Sequence, residues 1–445
     1  SAIRPTRRSG EPRSVFIFDR RGIYHAPGDF GKWRIVLMKR VVVTGMCGLS
    51  PIGLNWSEVD KSLRTRRSAI RIMPEWDIVP DLNTRLGAPL PEFELPPHYN
   101  RKRTRSMGRV GILATRSAEL AIEDAGLIDD PILNSGRTGV AFGSSSGSPP
   151  AIGDIGKLML THDMDSINAN TYIQIMPHTT AVNVSVFFGI CGRLIPTSTA
   201  CTSGSMAIGL AYETIQEGRQ TVMLAGGADE ISVSQAAVFD TLFATSTMND
   251  NPTSTPRPFD ANRDGMVVGE GAATFVLEEH DHAITRGATI HAEVIGFGTN
   301  SDGNHITQPT TETMAEAMQL ALKDARVSAE EIGYVNAHGT ATNLGDIAES
   351  QATLTAIGHR VPVSSLKSYI GHTLGACGGL EAWMTIEMLK GNWYAPTINL
   401  ENIDPKCAEL NYIVGDGLKQ QSEYVMTNNF AFGGVNTSLI FRRWN

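Results

Sequence analysis

The chain has 445 residues, 41% of them hydrophobic and 19% charged, with a formal net charge of −8. This is the composition of a soluble globular protein with room for two or three domains, and its acidic balance excludes a general nucleic-acid surface. No apolar run approaches the roughly 20 residues that cross a bilayer, and five scattered cysteines without a C-x-x-C pair exclude a disulfide framework or a zinc site and fit a reducing cytoplasm.

Residues 1–37 differ from the rest, with eight Arg/Lys against three Asp/Glu and no sustained period. They read as an extended or misassigned start, the alternatives being a targeting presequence or an extra element. From Met38 onward, strand-like runs alternate with helix-like runs, which argues for α/β architecture. Strands are predicted at Arg40–Gly45, Thr138–Phe142, Leu194–Ser198, Thr221–Ala225 and Thr274–Leu277. They continue at Ile290–Ile295, Ile332–Asn336, Val361–Ser365, Tyr424–Asn428 and Thr437–Phe441. Helices are predicted at Ser106–Ala125, Met206–Glu217, Thr313–Ala325, Asp346–Ile357 and Leu374–Lys390.

The order repeats. Ala121-Ile-Glu-Asp-Ala125 leads to the strand at 138–142, and Ala321-Leu-Lys-Asp-Ala325 to the strand at 332–336. Cys201 opens a helix closed by Gly218, and His372 opens one closed by Gly391. An internal duplication explains this. It divides the chain into halves at 38–284 and 285–445 and sets Cys201 and His372 at near-equivalent helix starts facing each other.

The motifs that carry chemistry also run in order. Arg101-Lys-Arg-Thr-Arg105 is a basic cluster in an acidic chain, either a solvated face or a dock for an acidic carrier protein. Gly143-Ser-Ser145-Ser-Gly147 fits the G-x-S-x-G elbow of a serine hydrolase, but Ser148-Pro-Pro150 follows where that elbow needs a helix. Cys201, in Thr197-Ser-Thr-Ala-Cys-Thr-Ser-Gly-Ser205, sits at a strand-to-helix junction. The open N–H groups and dipole of the helix favour thiolate there, and the small flank admits a thioester. Gly265 to Gly271 is glycine-rich without G-x-G-x-x-G order, so no nucleotide site is read.

His338 follows a strand in Asn-Ala-His-Gly-Thr, and His372 follows Gly371 at a helix start, where the dipole favours a neutral imidazole. Two neutral imidazoles can each donate an N–H to one enolate oxygen. Lys367 and Glu349 are a candidate ion pair behind them. Asn428-Asn-Phe-Ala-Phe432-Gly-Gly-Val-Asn436 is a tight turn or a source of an oxyanion-hole N–H.

Together these strings resemble the elongating β-ketoacyl-[acyl-carrier-protein] synthases of the type I/II class, in the thiolase superfamily. The likeness runs from about Met38 to the C-terminus and includes Arg257-Pro-Phe-Asp-Ala-Asn-Arg-Asp-Gly265. It implies a five-layered αβαβα sandwich built from two duplicated halves, and a homodimer with a heterodimer as the alternative. It implies Cys201 as the acyl acceptor, His338 and His372 as the decarboxylating pair, and Lys367 and Glu349 in support. Backbone N–H groups of Cys201 and Phe432 would form the oxyanion hole. Thr307, Thr340, Thr342, Ser146 and Met266 would meet substrate or the phosphopantetheine arm, and Arg101, Lys102 and Arg105 the acyl carrier protein. No metal or cofactor of its own is implied, because the phosphopantetheine belongs to the partner. The sequence departs from the family at Met266, where phenylalanine is usual, and at Ser146, where type II enzymes carry a bulky aliphatic residue. Asn429, Ala431 and Val435 vary the tail motif. A non-catalytic chain-length partner and a serine hydrolase using Ser145 are the rival readings; the first typically lacks the cysteine.

Overall fold

The protein is described by a computed structural model covering residues 23–26 and 34–445. Most of the leading 37 residues, and so the expectation attached to them, lie outside that description. Helices are numbered α1 to α13: Trp56–Arg64, Arg101–Thr104, Arg109–Asp124, Pro149–Thr161, Thr171–Ile175, Thr179–Phe188, Ser203–Gln216, Val233–Asp240, His280–Thr285, Thr311–Ala325, Asn343–Ala356, Lys367–Ile370 and Cys377–Gly391. The strands of the large sheet are β1 to β11: Val41–Leu49, Thr138–Gly143, Leu194–Thr197, Val222–Asp229, Gly271–Glu279, Ala292–Ser301, Ile332–Asn336, Pro362–Ser364, Asn411–Tyr412, Tyr424–Ala431 and Val435–Arg443.

These strands form one 11-stranded sheet in the order β9-β8-β7-β10-β11-β6-β1-β5-β4-β2-β3. Its two arms repeat each other. In the first, β2 runs parallel to β3 and β4, and β5 lies antiparallel between β4 and β1. In the second, β7 runs parallel to β8 and β10, and β11 lies antiparallel between β10 and β6. The arms meet where Ala292–Val294 of β6 pair with Val41–Val43 of β1.

Local chemistry repeats as well. A Cβ on Gly45 would lie 2.3 Å from the Ala121 carbonyl, and one on Gly296 would lie 2.5 Å from the Ala321 carbonyl, so each strand meets its helix only through glycine. The next N–H in each strand donates to the aspartate ending that helix, Met46 to Asp124 at 2.9 Å and Phe297 to Asp324 at 3.0 Å. One device used twice is hard to reach by chance βα grammar.

The layers follow from burial. Helices α7 and α13 are buried on nearly every face; a helix with no polar face must be interior. They pack on each other and between the arms of the sheet. α3 and α6 cover the outer face of the first arm, and α10 and α11 that of the second. The result is the five-layered αβαβα sandwich. Gly204 of α7 faces Gly375 and Gly379, and Gly378 of α13 faces Ser205, with backbone where any Cβ would go. This brings the two helix starts into one site.

Among the described residues eight helices escape the sequence reading, α1, α2, α4, α5, α6, α8, α9 and α12, and α4 bears on the rival site. Pro149 and Pro150 occupy the first positions of α4, where proline starts a helix instead of breaking one. The Ser145 elbow therefore does have a helix shortly after it, which removes that objection to the hydrolase reading.

Candidate active site

β3 ends at Thr197, one 3-10 turn spans Ala200–Thr202, and α7 starts at Ser203. The turn holds Ala200 at φ 51°. Hydroxyls brace it: Ser203 Oγ donates to the Ala200 carbonyl at 2.7 Å and accepts from the Thr199 N–H at 3.0 Å. Thr197 Oγ1 donates to the Ser203 carbonyl at 2.8 Å. The hydroxyl-rich flank is thus the scaffold of the elbow.

Cys201 is buried at the floor of a cavity of about 470 Å³. The helix dipole would favour a thiolate at Cys201, but burial opposes it. Burial pushes the thiol up to about 11, against the Lys367 ammonium and the N–H groups of Phe432 and Cys201. The resting nucleophile is therefore a thiol. The same two N–H groups converge on Sγ, where a thioester carbonyl on that sulfur would meet them.

The second arm supplies the imidazoles. His338 follows β7 and His372 follows α12. Ring nitrogens of both and Cys201 Sγ lie within 4.8 Å of one another, and the two rings stand edge to face, 5.2 Å between centroids. Both are held well below the ordinary histidine pKa, by burial first and by the Lys367 charge second. Burial is the first cause that keeps His372 neutral. Its position also differs from the expected one. The residue matching Ala200 is Leu374, at φ 52°, so the counterpart of Cys201 is Gly375 and His372 sits three residues upstream.

Each tautomer is set by a donor. Lys367 Nζ lies 3.2 Å from His338 Nδ1, and the Leu374 N–H donates to His372 Nδ1 at 3.1 Å. An ammonium and an amide can only donate, so both Nδ1 atoms accept and both Nε2 atoms carry the proton. The arrangement also opposes a metal. Coordination through Nε2 would move each proton to Nδ1, against a donor with nothing to accept it.

Lys367 does not pair with Glu349. Its Nζ binds Glu381, on α13. Burial alone would lower the ammonium, but Glu381 outweighs it and holds Lys367 charged. Asn429 Nδ2 donates to the other Glu381 oxygen at 2.7 Å. Glu349, on α11, instead accepts the N–H groups of His338 and Gly339, both at 2.7 Å, and so fixes the His338 loop. Its carboxyl is pushed up to about 8, by burial first. Asp229, at the end of β4, also stands outside the sequence reading. It accepts from Ser144 Oγ, the Ser145 N–H and the Gly375 N–H, tying the loop after β2 to the start of the α13 region.

Thr307, Thr340, Thr342, Met266 and Phe432 line the cavity with Cys201, His338 and His372, as Glu349 does. Ser146 does not; it faces Gln235 instead. No hydrogen bond joins Ser145 to an imidazole among the described residues, so the hydrolase reading lacks its base. Arg101, Lys102 and Arg105 are exposed on and beside α2, away from the cavity lining and without an acidic partner among the described residues. Arg103 is the structural member of that cluster, stacked 3.6 Å over the Phe187 ring.

Comparison with known proteins agrees with this geometry. The family model "Beta-ketoacyl synthase, N-terminal domain" matches residues 38–283, and "Beta-ketoacyl synthase, C-terminal domain" matches residues 291–401. The chain is 36% identical over 423 residues to 3-oxoacyl-[acyl-carrier-protein] synthase 1 of Haemophilus influenzae, covering 92% of this chain and 100% of that one. A crystal structure of a β-ketoacyl synthase from Burkholderia phymatum superposes with a TM-score of 0.91 at 62% identity, covering 92% of this chain and all of that one. A type II polyketide synthase ketosynthase, solved with its acyl carrier protein and bound to a hexaketide, superposes with a TM-score of 0.82 at 27% identity over 92% of this chain and 100% of that one.

Proposed function

The chain belongs to the β-ketoacyl synthase family, and from that premise we propose that it condenses an acyl thioester with malonyl-acyl-carrier protein, releasing CO2 and a β-ketoacyl thioester. The observation that carries the proposal is one buried thiol within reach of two neutral imidazoles whose protons both sit on Nε2.

Cys201 takes the acyl group first. Its sulfur attacks the thioester carbon of the acyl-carrier protein, the N–H groups of Cys201 and Phe432 hold the oxyanion, and the phosphopantetheine sulfur leaves with the proton Cys201 gives up. Malonyl-carrier protein then enters past Thr307, Thr340 and Thr342. Breaking its carboxylate–carbon bond releases CO2 and puts charge on the thioester oxygen, where His338 and His372 each donate an Nε2–H. The enolate carbon attacks the Cys201 thioester. Collapse expels the Cys201 sulfur, which takes up one solvent proton. Lys367 and Glu349 act by position, one through the His338 ring and the other through its backbone. The machinery needs reduced cysteines, consistent with five free thiols and with a cytoplasmic setting. No helix among the described residues is long and apolar enough to cross a membrane.

We assign 38–284 and 285–445 to the two halves, the first bringing the nucleophile and the second the histidines. A homodimer is supported by a run of exposed apolar side chains over α4, α5, α6 and edge strand β3, including Leu160 at 83%, Val186 at 74% and Leu194 at 39% exposure. Arg101, Lys102 and Arg105 are the proposed contacts of the acidic carrier protein. A chain-length partner without chemistry of its own would have no use for Cys201 and its braced elbow.

The test is incubation with acyl- and malonyl-carrier proteins, followed by intact-protein mass spectrometry. An acyl adduct on Cys201, chased by malonyl-carrier protein into CO2 and a β-ketoacyl product, is expected. Acyl transfer to Ser145, or no adduct from any donor, would refute the reading.

A further inference from the structure

We propose that a groove beside α1, separate from the Cys201 cavity, binds a nucleoside diphosphate. Lys61 to Arg71 holds five cations and no Asp or Glu, in a chain of net charge −8. In the structure these five divide. Arg64 pairs with Asp60 and lies over the Trp393 ring, and Arg66 reaches Asp416 at 3.8 Å. Lys61, Arg67 and Arg71 are exposed, have no acidic partner among the described residues, and line one groove of about 750 Å³. That groove shares no lining residue with the Cys201 cavity. Three unpaired cations on one concave surface repel one another and attract an anion that can join them.

The backbone behind these charges is held. Lys61 is in the last turn of α1. The Arg67 N–H donates to the Ser62 carbonyl at 2.9 Å, and Arg71 pairs with Gly87 in a short antiparallel ladder. Between them, the Ala69 N–H donates to the Tyr369 carbonyl of α12 at 2.9 Å. The cations therefore start from fixed points, and binding an anion orders side chains without ordering a loop.

The rest of the lining selects the ligand. Ile52, Ile70 and Leu90 supply apolar surface against which a base can lie. Two carboxylates also line the groove. Glu58 is committed to the start of α1, accepting from the Leu54 N–H at 2.9 Å and from Asn55 Nδ2 at 2.8 Å. Glu92 is exposed and has no hydrogen bond among the described residues. A carboxylate there repels a bare diphosphate but accepts from the hydroxyls of a ribose, as an acidic residue does in dinucleotide sites. The volume lies in the range of small-molecule sites and exceeds what an inorganic anion fills. Cations for the phosphates, a carboxylate for the sugar and apolar surface for the base together fit a nucleoside diphosphate.

Calorimetric titration of the full chain with ADP and with inorganic pyrophosphate tests this. ADP is expected to bind at one site per chain, about tenfold more tightly than pyrophosphate. Arg67→Gln and Arg71→Gln should each weaken ADP about tenfold, and Glu92→Gln should narrow the preference over pyrophosphate. All three side chains are exposed, and circular dichroism checks that each variant is folded. ADP should also raise the thermal unfolding midpoint of the unsubstituted protein, by less in the arginine variants. Absence of saturable ADP binding, pyrophosphate binding as tightly as ADP, or an ADP affinity that neither arginine substitution moves would overturn the inference. None of these results bears on Cys201 as acyl acceptor, so the two readings fail separately.

Discussion

Cys201→Ala is expected to abolish the acyl adduct and lower condensation by at least about 1,000-fold, while the protein still releases CO2 from malonyl-carrier protein. The split follows from the geometry. The sulfur is needed to hold the acyl group, but the enolate oxygen is held by His338 and His372. Neither Nδ1 partner, Lys367 or the Leu374 N–H, is touched by the substitution. Parallel assays of CO2 release and β-ketoacyl product check it. Loss of both activities together would mean that the histidines depend on the sulfur. Persistence of condensation would mean that another group carries the acyl chain.

Lys367→Met is expected to be costly in two ways at once. Lys367 and Glu381 form a buried pair with side-chain exposures of 1% and 0%. Removing one partner of such a pair costs about 3–5 kcal/mol, because the remaining charge is left in a low-dielectric interior. The loss should be largest at high pH. An unpaired Glu381 has its folded pKa raised above its unfolded value, so the penalty appears as pH rises through that interval and fades as the carboxyl takes up a proton. The second effect is on chemistry. Without the ammonium, only the more distant Asn429 Nδ2, at 3.4 Å, is left to hold His338 Nδ1 as an acceptor, so the Nε2–H tautomer is less firmly fixed and CO2 release should fall even in protein that remains folded. Chemical denaturation at two pH values and the CO2 assay separate the two effects.

Much of this was legible in the sequence because local patterns specified it. The strand at Ile332–Asn336 matches its predicted bounds, since a short apolar run ending at a polar motif leaves little choice. Cys201 stood out because small and hydroxyl residues on both sides of a lone cysteine make no sense as core. The failures have physical reasons. The partner of Lys367 is Glu381 and not Glu349, because chain distance says nothing about which acid folds back onto a lysine. Glu381 had a signal of its own, a single acid in the apolar stretch Gly379-Leu-Glu-Ala-Trp-Met384, and such a charge must be paired if buried. Cys201 is a thiol and not the expected thiolate because a helix dipole can be read from sequence, whereas the burial that opposes it can not. Ser146 was assigned to the cavity by likeness; its contact with Gln235 needed the tertiary structure, since the two are 89 residues apart.

Nitrogen NMR of 15N-histidine-labelled enzyme, with His338→Asn and His372→Asn to identify the two signals, tests the arrangement of protons on which the chemistry depends. Both imidazoles should be neutral with the proton on Nε2, and both should stay so as the pH is lowered through about 6.5, where an ordinary histidine titrates. An imidazolium forming near that pH at either position, or a proton resting on Nδ1, would contradict the account.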